Sequence, residues 1–365
     1  MNTPSRMFLF FYTLLTINVT AAMKSIAFLL PFLLMTSAAA QTATETEEAG
    51  KDRARAETGA PDNGKISARI YANFSYSLNR QDPTTAFEVK RAYFGYSRQL
   101  DEHFSGEVKL DIGSPDDVSE YSLIRRYTYF KNAYVAYTNG RLRAWFGLFD
   151  MLQFKTQEKF WGYRYLYKSY MDQYRFGPSA DLGAGIRYRL AGFVSADLVI
   201  SNGEGYQNLQ FDNVYKTGVG ITLEPPPDLT IRGYYTIHTR EDPQMCLAGF
   251  VGYRFERLRF ACEGILQKNY RFNRDHNRYG YSAYATFALS DRWEFFARYD
   301  QVFSNILPED DIPWNLTDDG SAIVGGVQFT PMEMVHLSLN YQDWMEYAEN
   351  GVVRPFLYLN VELNF

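Results

Sequence analysis

The chain has 365 residues, 46% hydrophobic and 17% aromatic, with 29 Tyr, 28 Phe and a formal net charge of −5. Mean hydropathy is slightly negative and no run of about 18 apolar residues follows the amino-terminal leader, which excludes a transmembrane helix there; the mild acidity argues against a nucleic-acid partner. Two Cys and four His give little basis for a disulfide framework or a metal centre, so no metal and no cofactor is expected.

Residues 23–40 read as a complete secretory signal: Lys24, an apolar core, then the small residues Ser37 to Ala40. Residues 1–22 read as a translated stretch upstream of the true start at Met23, with a longer double signal as the alternative. Without Arg6 and Lys24 the net charge becomes −7. Residues 41–64 are polar, with no aromatic side chain, and are expected to be a disordered periplasmic tail.

From Lys65 to the last residue, short alternating segments are broken by turn residues. Sixteen strands are expected, beginning near Ile66, Phe87, His103, Tyr127, Arg141, Asp181, Phe193, Val214, Leu229, Met245, Leu258, Tyr279, Arg292, Ala322, Val335 and Pro355. Short connections, such as Thr138-Asn-Gly-Arg141 and Ser290-Asp291, alternate with longer polar ones at 114–126, 151–179 and 304–320. One row of each strand is apolar, as in Val194, Ala196, Leu198 and Ile200, or Trp293, Phe295, Ala297 and Tyr299. The other is polar, as in Glu107, Lys109 and Asp111. The final strand alternates Leu357, Leu359, Val361, Leu363 and Phe365 against Asn360, Glu362 and Asn364. This is the pattern of an all-β, transmembrane antiparallel up-and-down β-barrel of about 16 strands over residues 65–365. It has short periplasmic turns and long outer loops, and sits in the bacterial outer membrane. A soluble β-sandwich does not explain the leader, the terminal Phe or the loop asymmetry.

The longest internal connection, 151–179, carries a helical signal. Phe160, Tyr163, Tyr167, Tyr170 and Tyr174 recur at three- and four-residue spacing, with Arg164, Lys168, Asp172 and Arg175 on another face. A short amphipathic helix is expected to fold inward, lay its aromatic face on the barrel wall and turn its charges to the lumen. Lys155, Lys159, Arg164, Lys168 and Arg175 outnumber Glu158 and Asp172 by three. A constriction of that charge would favour anions by raising their local concentration. The alternative is an extracellular cap whose charges are solvated. Lumen cations are expected on the walls at Arg91, Lys109, Arg143, Arg187, Arg189, Lys216, Arg232, Arg259 and Arg298. Lumen acids are expected at Glu107, Asp111, Asp181, Asp197, Glu263, Glu294, Asp300 and Glu362.

Phe87-Glu-Val-Lys-Arg-Ala-Tyr-Phe-Gly-Tyr96 and His103-Phe-Ser-Gly-Glu-Val-Lys-Leu-Asp111 resemble the early strands of the porin O/porin P (phosphate-selective porin) superfamily of Gram-negative bacteria. Gln157-Glu-Lys-Phe-Trp-Gly-Tyr163, Gly177-Pro-Ser-Ala-Asp-Leu-Gly183 and Asn202-Gly-Glu-Gly-Tyr206 do likewise. The resemblance covers nearly the whole chain after the leader. It implies a sixteen-stranded porin, a homo-trimer, with inward-folded loops. The phosphate-selective members carry a continuous Arg ladder and a Lys ring. Here Arg91 and the basic stretch from Lys155 to Arg175 match isolated positions, and wall acids interrupt the rest. General passage of small anionic or neutral solutes is therefore the expectation, ahead of phosphate selectivity.

Other clusters are weaker. His238 and His276 fall near the outer rim, where an outer-membrane hydrolase would hold its base, but neither carries a local signature. His103 is expected by a periplasmic turn and His336 in the lumen. Cys246 and Cys262 lie on adjacent strands, and the register expected for their hairpin places Cys246 opposite Gly264 or Ile265. Two free, buried thiols on opposite faces follow. Glu309, Asp310, Asp311, Asp318 and Asp319 make loop 309–319 acidic, without calcium-loop spacing. Gly203 and Gly205 lack the strand-to-helix context of a phosphate cradle. The expected function is passive diffusion through the outer membrane, with lipid and small solutes as partners and no enzymatic chemistry. An adhesive or structural barrel and a hydrolase are the alternatives.

Overall fold

A computed structural model describes residues 64–79, 84–113, 128–226, 228–348 and 351–365. The expected upstream stretch, leader and nearly all of the tail lie outside these residues, as does the loop 114–126.

Sixteen long strands form one sheet: β1 (Lys65–Ser77), β2 (Thr85–Gln99), β3 (Phe104–Ile112), β4 (Thr128–Asn139), β5 (Leu142–Asp150), β6 (Ala180–Ala191), β7 (Val194–Ser201), β8 (Lys216–Leu223), β9 (Leu229–His238), β10 (Gln244–Phe255), β11 (Leu258–Lys268), β12 (Arg278–Ala288), β13 (Trp293–Ser304), β14 (Gly320–Met332), β15 (Val335–Gln342) and β16 (Phe356–Asn364). A two-residue piece, Met345–Glu346, continues β15 along β14. Every strand pairs antiparallel with its sequence neighbour. β16 returns to β1, from Arg69↔Asn364 to Ser77↔Phe356, and closes the sheet into a barrel. The last residue completes the seam: the Phe365 amide donates to the Ala68 carbonyl at 2.9 Å. Closure is what an apolar solvent demands, because an open edge leaves backbone groups unpaired at several kcal/mol each.

The alternation sorts the two faces. Phe87, Phe94, Val108, Phe146, Ile186, Leu198, Val219, Phe260, Phe295 and Leu339 are exposed on the outside. Asn73, Asp111, Arg232, Ser282, Asp300, Asn340 and Asn360 are buried inside. Outward rings pair across strands near both rims. Trp293 stacks on Phe329 at 4.5 Å and Phe104 packs on Tyr137 at 5.1 Å at the turn end. Phe74 packs on Phe87 at 4.7 Å at the loop end. Such girdles belong where a membrane meets water.

Two β-bulges break the alternation. The β1–β2 register runs Tyr71↔Arg91 and then Ala72↔Val89, leaving Lys90 as the extra residue. The β3–β4 register runs Lys109↔Asn132 and then Leu110↔Phe130, leaving Lys131 extra. At a bulge two residues of one strand oppose a single partner residue, so consecutive side chains share a face. Lys90 and Arg91 thus both turn inward, as do Lys131 and Asn132. Two lysines are thereby added to the inward face of this wall.

The hairpin of β10 and β11 corrects one expectation. Cys246 pairs with Gln267 rather than Gly264 or Ile265, because the turn falls at Glu256-Arg257. Both thiols are free and on opposite faces. Cys246 is buried inside, but Cys262 is exposed on the outer surface, where the even-numbered positions of β11 point outward.

Candidate functional site

The connection between β5 and β6 enters the barrel. Helix α1 (Leu152–Trp161) ends at Gly162, whose φ of 81° takes the left-handed region and whose amide donates to the Glu158 carbonyl. A second, four-residue helix, α2 (Tyr170–Gln173), follows a turn. The expected single helix is therefore broken. Gly162 stops it, and the tyrosines beyond are drawn to separate partners on the wall.

The aromatic face packs against strands β10 to β14. Phe160 meets Phe250 at 5.3 Å, Trp161 meets Tyr284 at 4.9 Å and Tyr163 meets Phe296 at 4.6 Å. Hydroxyls finish the contact: Tyr163 donates to Glu294, Tyr165 to Gln328 at 2.9 Å, Tyr170 to the Gln301 carbonyl at 2.7 Å and Tyr174 to Asp300 at 3.0 Å. The wall makes room with glycine. A Cβ on Gly252 would sit 2.6 Å from the Phe160 ring, and one on Gly280 would strike the Tyr170 hydroxyl.

The wall also serves the loop backbone. A buried irregular segment has carbonyls that helix or sheet cannot satisfy. Arg232 donates to the Leu152 carbonyl at 2.8 Å, Arg298 to Lys168 at 2.9 Å, Arg278 to Tyr174 at 2.9 Å and Gln342 to Leu166 at 3.2 Å. Two of these arginines are locked by buried carboxylates. Arg232 is held by both oxygens of Asp197, at 2.8 and 2.9 Å, and Arg298 by both oxygens of Asp300, at 2.8 and 2.7 Å.

This placement revises the expected lumen set. Arg232 and Arg298 are buried beneath the loop and anchor it, and Lys216 lies buried against Gln153 at 3.4 Å. They are not open to the lumen, because the loop covers them. Arg259 pairs with Glu294 at 3.0 Å, Arg187 approaches Asp197 at 3.7 Å and Arg143 lies over Trp145 at 5.1 Å. Lys159 and Arg175 are exposed on the loop. None of these five lines the open space described next.

That space lies between the loop and strands β1 to β4, β15 and β16. One cavity, of about 180 Å³, reaches toward the turn end and is lined by Arg69, Tyr71, Tyr93, Lys109, Lys131, Asp150, Lys155, Glu158 and Arg164, among others. A second, of about 420 Å³, reaches toward the loop end and is lined by Tyr71, Lys90, Arg91, Arg164, Tyr167, Lys168, Asp343, Trp344, Arg354 and Tyr358, among others. Tyr71 and Arg164 belong to both. Of the expected residues, Lys155, Arg164, Lys168, Arg91 and Lys109 are brought together here. Arg69, Lys90, Lys131 and Arg354 join them unforeseen. The polar row of β1 was readable for Arg69; strict alternation sends Lys90 and Lys131 outward, and only the bulges bring them in.

The charges of the lining are one-sided, and Arg69, Lys109 and Arg354 each pair with a carboxylate just outside it, Glu362, Glu107 and Glu346. Five cations face two carboxylates in the first cavity and five face one in the second. Asp111, which pairs with Arg91 at 3.3 Å, is fully buried beneath it. Arg164 is gripped by Glu158 and Asp172, while Lys155 and Lys131 share Asp150 at 2.7 and 3.6 Å. Burial pushes the Asp172 carboxyl up, but Arg164 and Lys168 more than offset it and hold the group at about 2. Glu158 is likewise held below the usual carboxylate range: Arg164 and Lys155 outweigh its burial.

No family model matches the chain, and no curated protein matches its sequence. Solved structures share its fold. The outer membrane channel DcaP of Acinetobacter baumannii superimposes with a TM-score of 0.60 at 11% identity, over 84% of this chain and 98% of that one. OmpF of Salmonella typhi gives 0.64 at 10%, over 83% and 98%. An anion-selective porin from Comamonas acidovorans gives 0.61 at 10%, over 83% and 100%. The likeness is one of fold. Together with the closed wall and apolar exterior, it makes this chain an outer-membrane β-barrel.

Proposed function

We propose that this barrel is a porin: a passive channel for small hydrophilic solutes, with a preference for anions set where the folded-in loop narrows the lumen. The observation that carries the reading is the charge of the two cavities flanking Arg164, where lysine and arginine outnumber carboxylates five to two and five to one. In a narrow, low-dielectric channel such an excess concentrates counter-ions and repels cations. The cations come from both sides, Lys155, Arg164 and Lys168 from the loop and Arg69, Lys90, Arg91, Lys109 and Lys131 from the wall. The passage is therefore flanked by positive charge rather than touched by it at one point.

The motif resemblance to the porin O/porin P superfamily supports the same reading of solute class. Phosphate is one anion among several here, since Asp150 and Glu158 interrupt the basic lining. A homotrimer is the assembly the resemblance favours, and OmpT of Vibrio cholerae, with a TM-score of 0.53, has been solved in a trimer form. The test is a planar-bilayer recording of the purified protein. Stepwise openings and a zero-current potential of anion-selective sign in a potassium chloride gradient support the proposal. A silent bilayer, or a potential of cation-selective sign, rejects it.

A further inference from the structure

The inward row of β16 should be polar, and it is at Asn360 and Glu362, which are buried. Toward the loop end the same row becomes Tyr358 and Phe356, whose rings stack at 5.7 Å and 27°. Both line the larger cavity, together with Tyr165, Tyr167 and Trp344. Rings turned into a water-filled lumen lose the lipid contact that rewards aromatic residues on the other face, so their presence calls for something apolar to meet.

A cation stands among them. The β2 bulge swings Lys90 inward, and its Nζ lies 4.9 Å from the centre of the Tyr358 ring. Among the described residues no carboxylate forms a salt bridge with Lys90; Glu88, two residues earlier on β2, attracts it from farther off. Lys168, on the loop, lines the same cavity, so the two ammonium groups share one space. Like charges held near one another favour an anion between them.

We infer that the outer cavity is a binding station for an aryl carboxylate, a small anion carrying one flat apolar ring. Its carboxylate sits between Lys90 and Lys168, and its ring lies along Tyr358, Phe356 and Trp344. This rests on the anion-preferring reading above and narrows it to a solute class. Inorganic phosphate would use the ammonium groups and leave the rings unmatched. A neutral sugar would use the rings but needs acceptors for its hydroxyls, and the wall supplies five cations and a single carboxylate, Asp343. The volume, about 420 Å³, falls within the range of small-molecule pockets, about 300–1,000 Å³.

The experiment is single-channel recording in chloride with benzoate, acetate, benzyl alcohol or phosphate added on the loop side. Benzoate is expected to give brief, saturable blocks that acetate, benzyl alcohol and phosphate do not reproduce. Lys90→Gln should raise the half-blocking concentration about tenfold, the worth of one charge-assisted contact. Tyr358→Leu removes a ring without altering charge and should raise it about fivefold; Trp344→Leu, on a loop rather than a strand, gives the same reading should the first variant fail to fold. Benzoate passing like acetate through a channel that still prefers anions overturns the aryl-carboxylate station and leaves the porin reading standing. Equal block by phosphate, or block unmoved by Lys90→Gln, overturns it too. A channel without anion preference overturns both.

Discussion

Tyr71 on β1 and Arg164 on the folded-in loop stand together in the walls of both lumen cavities. The pair stands where the two cavities meet, one residue from the wall and one from the loop. Arg164 is not a loose side chain, because Glu158 and Asp172 fix its guanidinium from two directions. The narrow point therefore has a defined geometry and a defined charge.

Removing that guanidinium has a direct consequence. Arg164→Ala takes away the shared cation, leaves Asp172 without its salt bridge and leaves Glu158 with Lys155 alone. A unit charge at about 4 Å in water is worth about 1 kcal/mol, or roughly fivefold in local ion concentration. The chloride-to-potassium permeability ratio is expected to fall by about that factor, read from the zero-current potential in a salt gradient. Arg164→Lys should keep most of the preference. An unchanged ratio in the alanine variant would show that selectivity is set elsewhere.

The two bulge lysines make the second case. Lys90 and Lys131 reach the lumen only because β2 and β4 each carry one extra residue. Lys90→Glu with Lys131→Glu alters the lining by four charge units and is expected to invert the selectivity at low salt. The inversion should shrink at about 1 M salt, where screening acts over about 3 Å. Zero-current potentials at both ionic strengths check this. Retention of anion preference in the double variant would mean these side chains do not face the conducting path.

These lysines also mark the limit of what the chain says before it folds. Strand positions were legible throughout: each expected start lies within two residues of the observed one, because period-two patterning and turn residues are local signals. The aromatic spacing in 151–179 was legible as well, and its rings do lie on the wall. The length of the helix was not, since Gly162 ends it and Tyr163, Tyr165 and Tyr170 then follow partners on distant strands. Nor were the roles of Arg232 and Arg298, which alternate like lining residues yet are spent on loop carbonyls. A bulge is set by pairing between two strands, so no single strand announces it.

The anchoring of the loop gives a third expectation. Arg298→Ala would leave Asp300 as an uncompensated buried charge, a loss of about 3–5 kcal/mol. It also frees the Lys168 carbonyl. The barrel should unfold at lower temperature in a gel-shift assay of heat modifiability, and surviving channels should show a larger and noisier conductance as the loop lifts from the wall. Gly252→Val separates the two effects. Its side chain strikes the Phe160 ring without stranding a charge, so conductance should change with little loss of barrel stability. Wild-type conductance in both variants would mean that the loop does not limit the current.

Acid should release the same loop from its charged side. Asp172 is held at about 2 against an ordinary value of 3.8, and Glu158 is held low as well. A depressed carboxylate stabilises the folded arrangement fully above its ordinary range and loses that contribution as pH falls through the folded value. For Asp172 this amounts to on the order of 2 kcal/mol. Conductance and current noise are therefore expected to stay constant from about pH 8 to about pH 5, and flicker should grow from about pH 4 toward about pH 2 as the grip on Arg164 is protonated away. Asp172→Asn should bring part of that flicker to neutral pH, because its amide hydrogen-bonds Arg164 without opposing its charge. Flicker that rises instead between about pH 6 and pH 7 would remove the carboxylate clamp as the cause.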